Sequence, residues 1–129
     1  MYGYKKLAKL SYDKAVARVR EELKKEGFGV LTEIDVKDTL KKKLNVDFDH
    51  YTILGACNPP FAYKALQVMK EVGLMMPCNV VVYVDQGKTY IMAALPTVLL
   101  GLAQNDQLKG TAEEIESKLK RAVDGAAKD

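Results

Sequence analysis

Residues 79–94, NVVVYVDQGKTYIMAA, constrain this chain more than any other stretch. Two β-rich runs, Asn79–Val84 and Lys88–Ala94, are separated only by Asp85-Gln86-Gly87. Three residues cannot carry a crossover, so the two runs must be antiparallel neighbours. Gly87 supplies the positive φ that a tight hairpin turn requires. The fold therefore contains at least one antiparallel pair, and a purely parallel sheet is excluded.

The rest of the chain alternates between period-two and helical patterns. Tyr2–Leu10 predicts a first strand, and Ser11 a helix N-cap. Tyr12, Ala15, Val16, Val19 and Leu23 then recur at i, i+3, i+4, i+7 and i+11, one stripe of a helix closed by Gly27 and Gly29. Phe28–Ile34 predicts a second strand, followed by a helix capped by Asp35, with Val36, Leu40 and Leu44 on a narrow apolar face. Tyr51–Ala56 predicts a third strand and Pro59–Val72 a third helix, closed by Gly73. Thr111-Ala112-Glu113-Glu114 has the form of a capping box and predicts the start of a last helix, with Ile115, Leu119, Ala122 and Val123 buried. The expected order is β-α-β-α-β-α-β-β-α, an α+β domain with a mostly antiparallel five-stranded sheet and helices largely on one face. At 129 residues and 48% hydrophobic, with no internal linker, the chain predicts a single domain over 1–129 with a modest core.

Charge and hydropathy narrow the function classes. No run reaches the roughly 18 apolar residues that span a membrane. MYGYKKLAKL lacks the apolar segment of a secretory signal, so a cytoplasmic protein with two reduced thiols is expected. Twenty basic and 17 acidic side chains are mixed along the chain. Even the Lys41-Lys42-Lys43 cluster lies near Asp35, Asp38 and Asp47. No one-sided basic face emerges, so neither nucleic acid nor membrane is an expected partner.

The candidate site lies in ILGACNPPFAYKAL, residues 53–66. Asn58 suits an N-cap and Pro59 the first helical position, which places Cys57 at the end of a strand just ahead of a helix. The positive end of a helix dipole lowers the pKa of a nearby thiol. A small apolar filler in a tight corner is the competing explanation. Glu33 and Asp35 flank Ile34 and form a secondary carboxylate pair, with a cap and a solvated strand residue as the simpler explanation. His50 precedes the strand that Cys57 ends, which separates them by on the order of 20 Å. Two thiols without a nearby imidazole are too few for a closed zinc site, so no metal site is expected. A site shared across a dimer, or a soft Cu(I) ion on two thiolates, is the exception this leaves. No phosphate loop, nucleophile elbow or zinc-protease motif occurs, and no cofactor is indicated. Leu95–Leu102 and Leu74-Met75-Met76 are greasier than loops usually are, as core or as a subunit interface.

LGACNPPFAYKAL followed by VGLMMPCNVVVY, with GFGVLTEIDVKDTLKKKLNVD upstream, closely resembles the domain-of-unknown-function family numbered 302 over roughly residues 25 to 95. The resemblance implies a small α+β domain with a topology related to the TATA-binding-protein-like fold, generally a homodimer, and no established activity. The family's Cys-Asn-Pro and Pro-Cys elements fall on Cys57-Asn58-Pro59 and Pro77-Cys78. Antiparallel third and fourth strands would bring Cys57 and Cys78 to one end of the sheet; a parallel crossover would separate them. The family fold favours the first arrangement. A reactive Cys57 at the helix start predicts binding or transfer of a small thiol, persulfide or soft metal, with Cys78 beside it. The alternatives are a non-catalytic small-molecule-binding domain and a structural homodimeric module.

Overall fold

A computed structural model describes residues 1–128. The strands are β1 (Gly3–Ala8), β2 (Gly29–Asp35), β3 (Tyr51–Cys57), β4 (Cys78–Asp85) and β5 (Lys88–Ala94). They form one sheet in the order β1-β5-β4-β3-β2, and every neighbouring pair is antiparallel. The helices are α1 (Tyr12–Lys25), α2 (Val36–Leu44), α3 (Pro59–Val68), the single turn α4 (Pro96–Leu99) and α5 (Lys109–Ala127). The expected α+β class and strand–helix order hold, with the single turn α4 and short 3-10 turns added between the longer elements.

Register sorts the sheet into two faces. Across four strands, Tyr4, Ala93, Val80 and Leu54 stand opposite one another, as do Lys6, Ile91, Val82 and Thr52. Leu54, Val80, Val82, Ile91 and Ala93 are buried. They pack with Ala15, Val19 and Leu23 of α1 and Ile115, Leu119 and Val123 of α5. The helical stripes thus cover one face, where aliphatic burial stabilises by about 1.5–3 kcal/mol per large side chain. The other face carries the rows Met92–Val81–Ile53–Ile34 and Leu7–Tyr90–Tyr83–Tyr51, half-buried or exposed. Its three tyrosines stack in sequence, with ring centroids 5.2 and 5.5 Å apart. The hairpin closes through Gln86 and Gly87, both at positive φ, between the paired Asp85 and Lys88.

Three local expectations change. Helix α3 stops at Val68, because Met69 is extended (φ −157°), and a 3-10 turn over Lys70–Met75 follows. The break lets Val72 bury against Ala65 and Leu108 in a small second cluster, while Val68 stays exposed. The capping box at Thr111 does not form: a 3-10 turn at Asp106–Leu108 runs directly into α5 at Lys109, placing Thr111 inside the helix. Ser11 holds the N-cap position of α1 without a side-chain hydrogen bond, whereas Asp35 caps α2 by accepting from the Asp38 amide at 2.9 Å.

Candidate functional site: a thiol-walled apolar cavity

The connection from β3 to β4 is long, and it does not collapse onto the sheet. Chain from Asn58 to Pro77, with α4 and the first turns of α5, encloses a cavity of about 370 Å³ at the end of the β3–β4 pair. Its wall is almost entirely carbon and sulfur. Phe28, Phe61, Ala65, Leu66, Met75, Met76, Pro96, Leu99, Leu100 and Ile115 line it together with Cys57 and Cys78. Asn58 and Thr111 are the only lining residues with hydrogen-bonding side chains other than thiols. Space of this size with an apolar wall is typical of small-ligand sites.

Strand register brings the two cysteines to one end of the sheet. Ala56 on β3 pairs with Cys78 on β4, so Cys57 lies one position beyond the partner of Cys78 at the strand end. Strand alternation alone would turn the two side chains to opposite faces, and it is the cavity at that end that both residues line. Both are free and half-buried. Burial pushes the Cys78 thiol up to about 11, and the nearby Cys57 adds to the shift. Cys78 is accordingly a neutral thiol at physiological pH.

Asn58 sits at the N-cap position of α3, with Pro59 and Pro60 following, but its side chain does not cap that helix. Its Nδ2 donates instead to the Glu26 carbonyl at 3.1 Å, at the other end of the molecule's first helix. That end is a Schellman motif: the Phe28 amide donates to Leu23 O and the Gly27 amide to Lys24 O, both at 3.0 Å, with Gly27 at φ 86°. A Cβ on Gly27 would lie 3.3 Å from Asn58 Nδ2, so the glycine also admits the amide. Asn58 therefore ties the end of α1 to the junction that carries Cys57. The opening of α3 holds little for an anion. Pro59 and Pro60 have no N–H, and the Phe61 and Ala62 amides already donate to Asn58 O at 3.1 and 2.9 Å. The expected backbone cradle for a thiolate is absent at these four positions.

Other predicted residues fall elsewhere. Glu33 and Asp35 share a face of edge strand β2, but neither lines the cavity. Glu33 is ion-paired with Arg20, and Asp35 is committed to its cap. His50 lies at the opposite end of β3, stacked on Tyr12 at 4.7 Å. Among the described residues, no group of three or more His, Cys, Asp or Glu is placed to hold a metal ion. Lys41 and Lys42 of α2 pair with Asp47 and Asp38. The greasy 95–102 segment divides: Pro96, Leu99 and Leu100 line the cavity, while Val98 and Leu102 are exposed. Sequence reasoning had no hold on Phe28, Leu66 or Ile115 as wall residues, since each fits an ordinary core stripe. The Cys57–Asn58 junction, Cys78 and the excess hydrophobicity of Leu74-Met75-Met76 and of 95–102 were the signals that pointed here.

A small antiparallel α+β domain with paired thiols at one sheet end defines the class. The family model "Domain of unknown function DUF302" matches residues 4–126, and the chain belongs to that family. It is similar to a solved structure described as an uncharacterized conserved protein DUF302 from Bacillus stearothermophilus, at 35% identity, TM-score 0.92 and 98% coverage of both chains. Among curated proteins, none matches the chain. No helix among the described residues is long and apolar enough to cross a membrane.

Proposed function

We propose that the chain is a small-molecule-binding domain that takes a compact, largely apolar ligand into the cavity between the β3–β4 end, α3, α4 and α5. The observation that carries this reading is a wall of about 370 Å³ with almost no polar group to satisfy. Such a surface gains free energy when an apolar molecule replaces water within it. The experiment is a titration of the full chain with indole and with naphthalene, followed by backbone amide shifts. Saturable shifts at Ala56, Cys57, Cys78 and Leu99 are expected, and they persist in Cys57→Ser. Binding abolished by Cys57→Ser, with the fold intact, would transfer the function to the thiol.

A second reading, transfer or capture of a small thiol or persulfide through Cys57 with Cys78 beside it, is supported by the two thiols on one wall. The high pKa of Cys78 and the occupied amides of α3 weigh against an activated thiolate. Alkylation of Cys57 across pH decides it: fast reaction well below pH 8 supports the thiol role.

The uncovered sheet face supports one further element, a homodimer in which a second copy covers Met92, Val81, Ile53, Ile34 and Leu7. Ile34 and Leu7 are about half exposed, which leaves an apolar row without cover in a single chain. Light scattering should give a dimer that Ile53→Lys converts to monomer; a monomeric wild-type chain contradicts it.

A further inference from the structure

The sulfur content of the cavity wall is out of proportion to its size. Cys57 and Cys78 come from adjacent strands, and Met75 and Met76 from the turn that leads into β4. All four line one cavity, together with no carboxylate, imidazole or amine. A wall that offers sulfur and withholds charged oxygen and nitrogen ligands discriminates by softness. Hard cations find no carboxylate there, and zinc finds two thiols where a closed site needs four strong ligands. Soft monovalent d¹⁰ ions favour thiolate and thioether donors.

We propose that Cys57 and Cys78, with thioether support from Met75 and Met76, form a binding site for a soft monovalent cation of the Cu(I) class. Binding releases one proton from each thiol to solvent. The complex is the cation plus two thiolates, with one net negative charge. The ion's own charge reverses the effect that keeps a buried thiol protonated. Thioethers add ligands without adding charge, which suits a cavity with no cation to balance a third thiolate. Methionine's three rotatable bonds let either sulfur swing toward an ion held by the cysteines. Half-exposure of both cysteines leaves a route for a donor to hand over the metal. The site uses the cavity but does not depend on apolar-ligand binding.

The test uses the reduced full chain under anaerobic conditions, with Cu(I) delivered from its bathocuproine disulfonate complex. One equivalent bound is expected, with about two protons released per ion. Cys57→Ser and Cys78→Ser should each weaken binding by about a hundredfold or more, and Met75→Leu with Met76→Leu by about tenfold. The methionine pair is apolar for apolar, so it keeps the question open to refutation if a cysteine variant fails to fold. Absence of binding by the wild-type chain overturns the site, as does affinity unchanged in both cysteine variants. Indole and naphthalene shifts persisting in a chain that takes no Cu(I) would remove this proposal alone and leave the apolar-ligand reading standing.

Discussion

The same sheet face is packed solid at one place and hollow at another. Under α1 and α5, Leu54, Val82, Ile91 and Leu119 meet side chains on every side and are essentially inaccessible. Under α3, its 3-10 continuation and α4, only Ala65, Val72 and Leu108 form a buried cluster, and the cavity opens beside it. The difference lies in the covering elements. Helices α1 and α5 have 14 and 19 residues and present continuous stripes. Helix α3 breaks at Met69, and α4 is a single turn. Short, interrupted elements cannot present an unbroken ridge to the sheet, so the chain leaves space there. A domain that packs so completely at one end has no general difficulty in filling its interior. The hollow is a property of one segment, and the two cysteines flank that segment.

This contrast can be broken by mutation. The largest effect is expected in the solid region: Leu54→Ala should cost about 2–5 kcal/mol in chemical denaturation, because a cavity is created where none exists. At the hollow, Leu99→Ala should cost about 1 kcal/mol or less, since its neighbours are already absent on one side. Equal losses at the two positions would mean that the hollow is not a separate region.

Next in size is Asn58→Ala, which strands the Glu26 carbonyl and should cost about 1–3 kcal/mol. Asn58→Asp sharpens the point. A carboxylate finds no free amide to cap at the start of α3, where Pro59 and Pro60 lack an N–H and the Phe61 and Ala62 amides are taken, and it cannot donate to a carbonyl, so no rescue is expected. Recovery of stability by aspartate would show that capping α3 is the dominant role.

The third effect is chemical. In Cys57→Ser, alkylation of Cys78 should still accelerate only well above the pH at which a free thiol reacts, because burial is the main cause of its raised pKa and the Cys57 contribution is the smaller one. A midpoint near that of a free thiol would mean that water reaches the sulfur readily and that the wall is not closed.

The smallest concerns the link between α4 and α5. Burial disfavours ionised Glu116, but the Thr97 hydroxyl and amide, donating to Oε1 at 2.5 and 3.1 Å, and Lys120 outweigh it, so its pKa is lowered. A carboxyl with a depressed folded-state pKa adds stability above its unfolded value and loses it as pH falls through the folded value. Acid below the ordinary glutamate range should therefore loosen the cavity wall slightly, seen as faster amide exchange at Val98 and Leu99 after correction for the intrinsic rate. Thr97→Ala, which keeps the amide donor and Lys120, should reduce that pH dependence.

Most of the architecture was legible in residues whose pattern is local. The Gln86-Gly87 turn, the α1 stripe ending at Leu23 and the cap by Asp35 depend on neighbours within a few positions. The break at Met69 was not legible, because Phe61, Ala65, Val68, Met69 and Val72 make an unbroken helical stripe in sequence. Burying Val72 against Leu108 decided it, a contact 36 residues distant. The role of Asn58 was hidden for the same reason: capping chemistry is local, but its partner at Glu26 is 32 residues away. That Cys57 and Cys78 share one end of the sheet was readable once β3 and β4 were taken as antiparallel. The cavity was not, since residues around a hollow resemble residues in a core when read one at a time.

The central claim is that the β3–β4 end is a ligand cavity, and crystals of the full chain soaked with naphthalene test it most directly. The account predicts density for the ring between Phe61, Leu99 and Cys78, with the solid core unchanged. A naphthalene that settles only on the tyrosine-bearing open face, or side chains that close the hollow completely in the crystal, would contradict it.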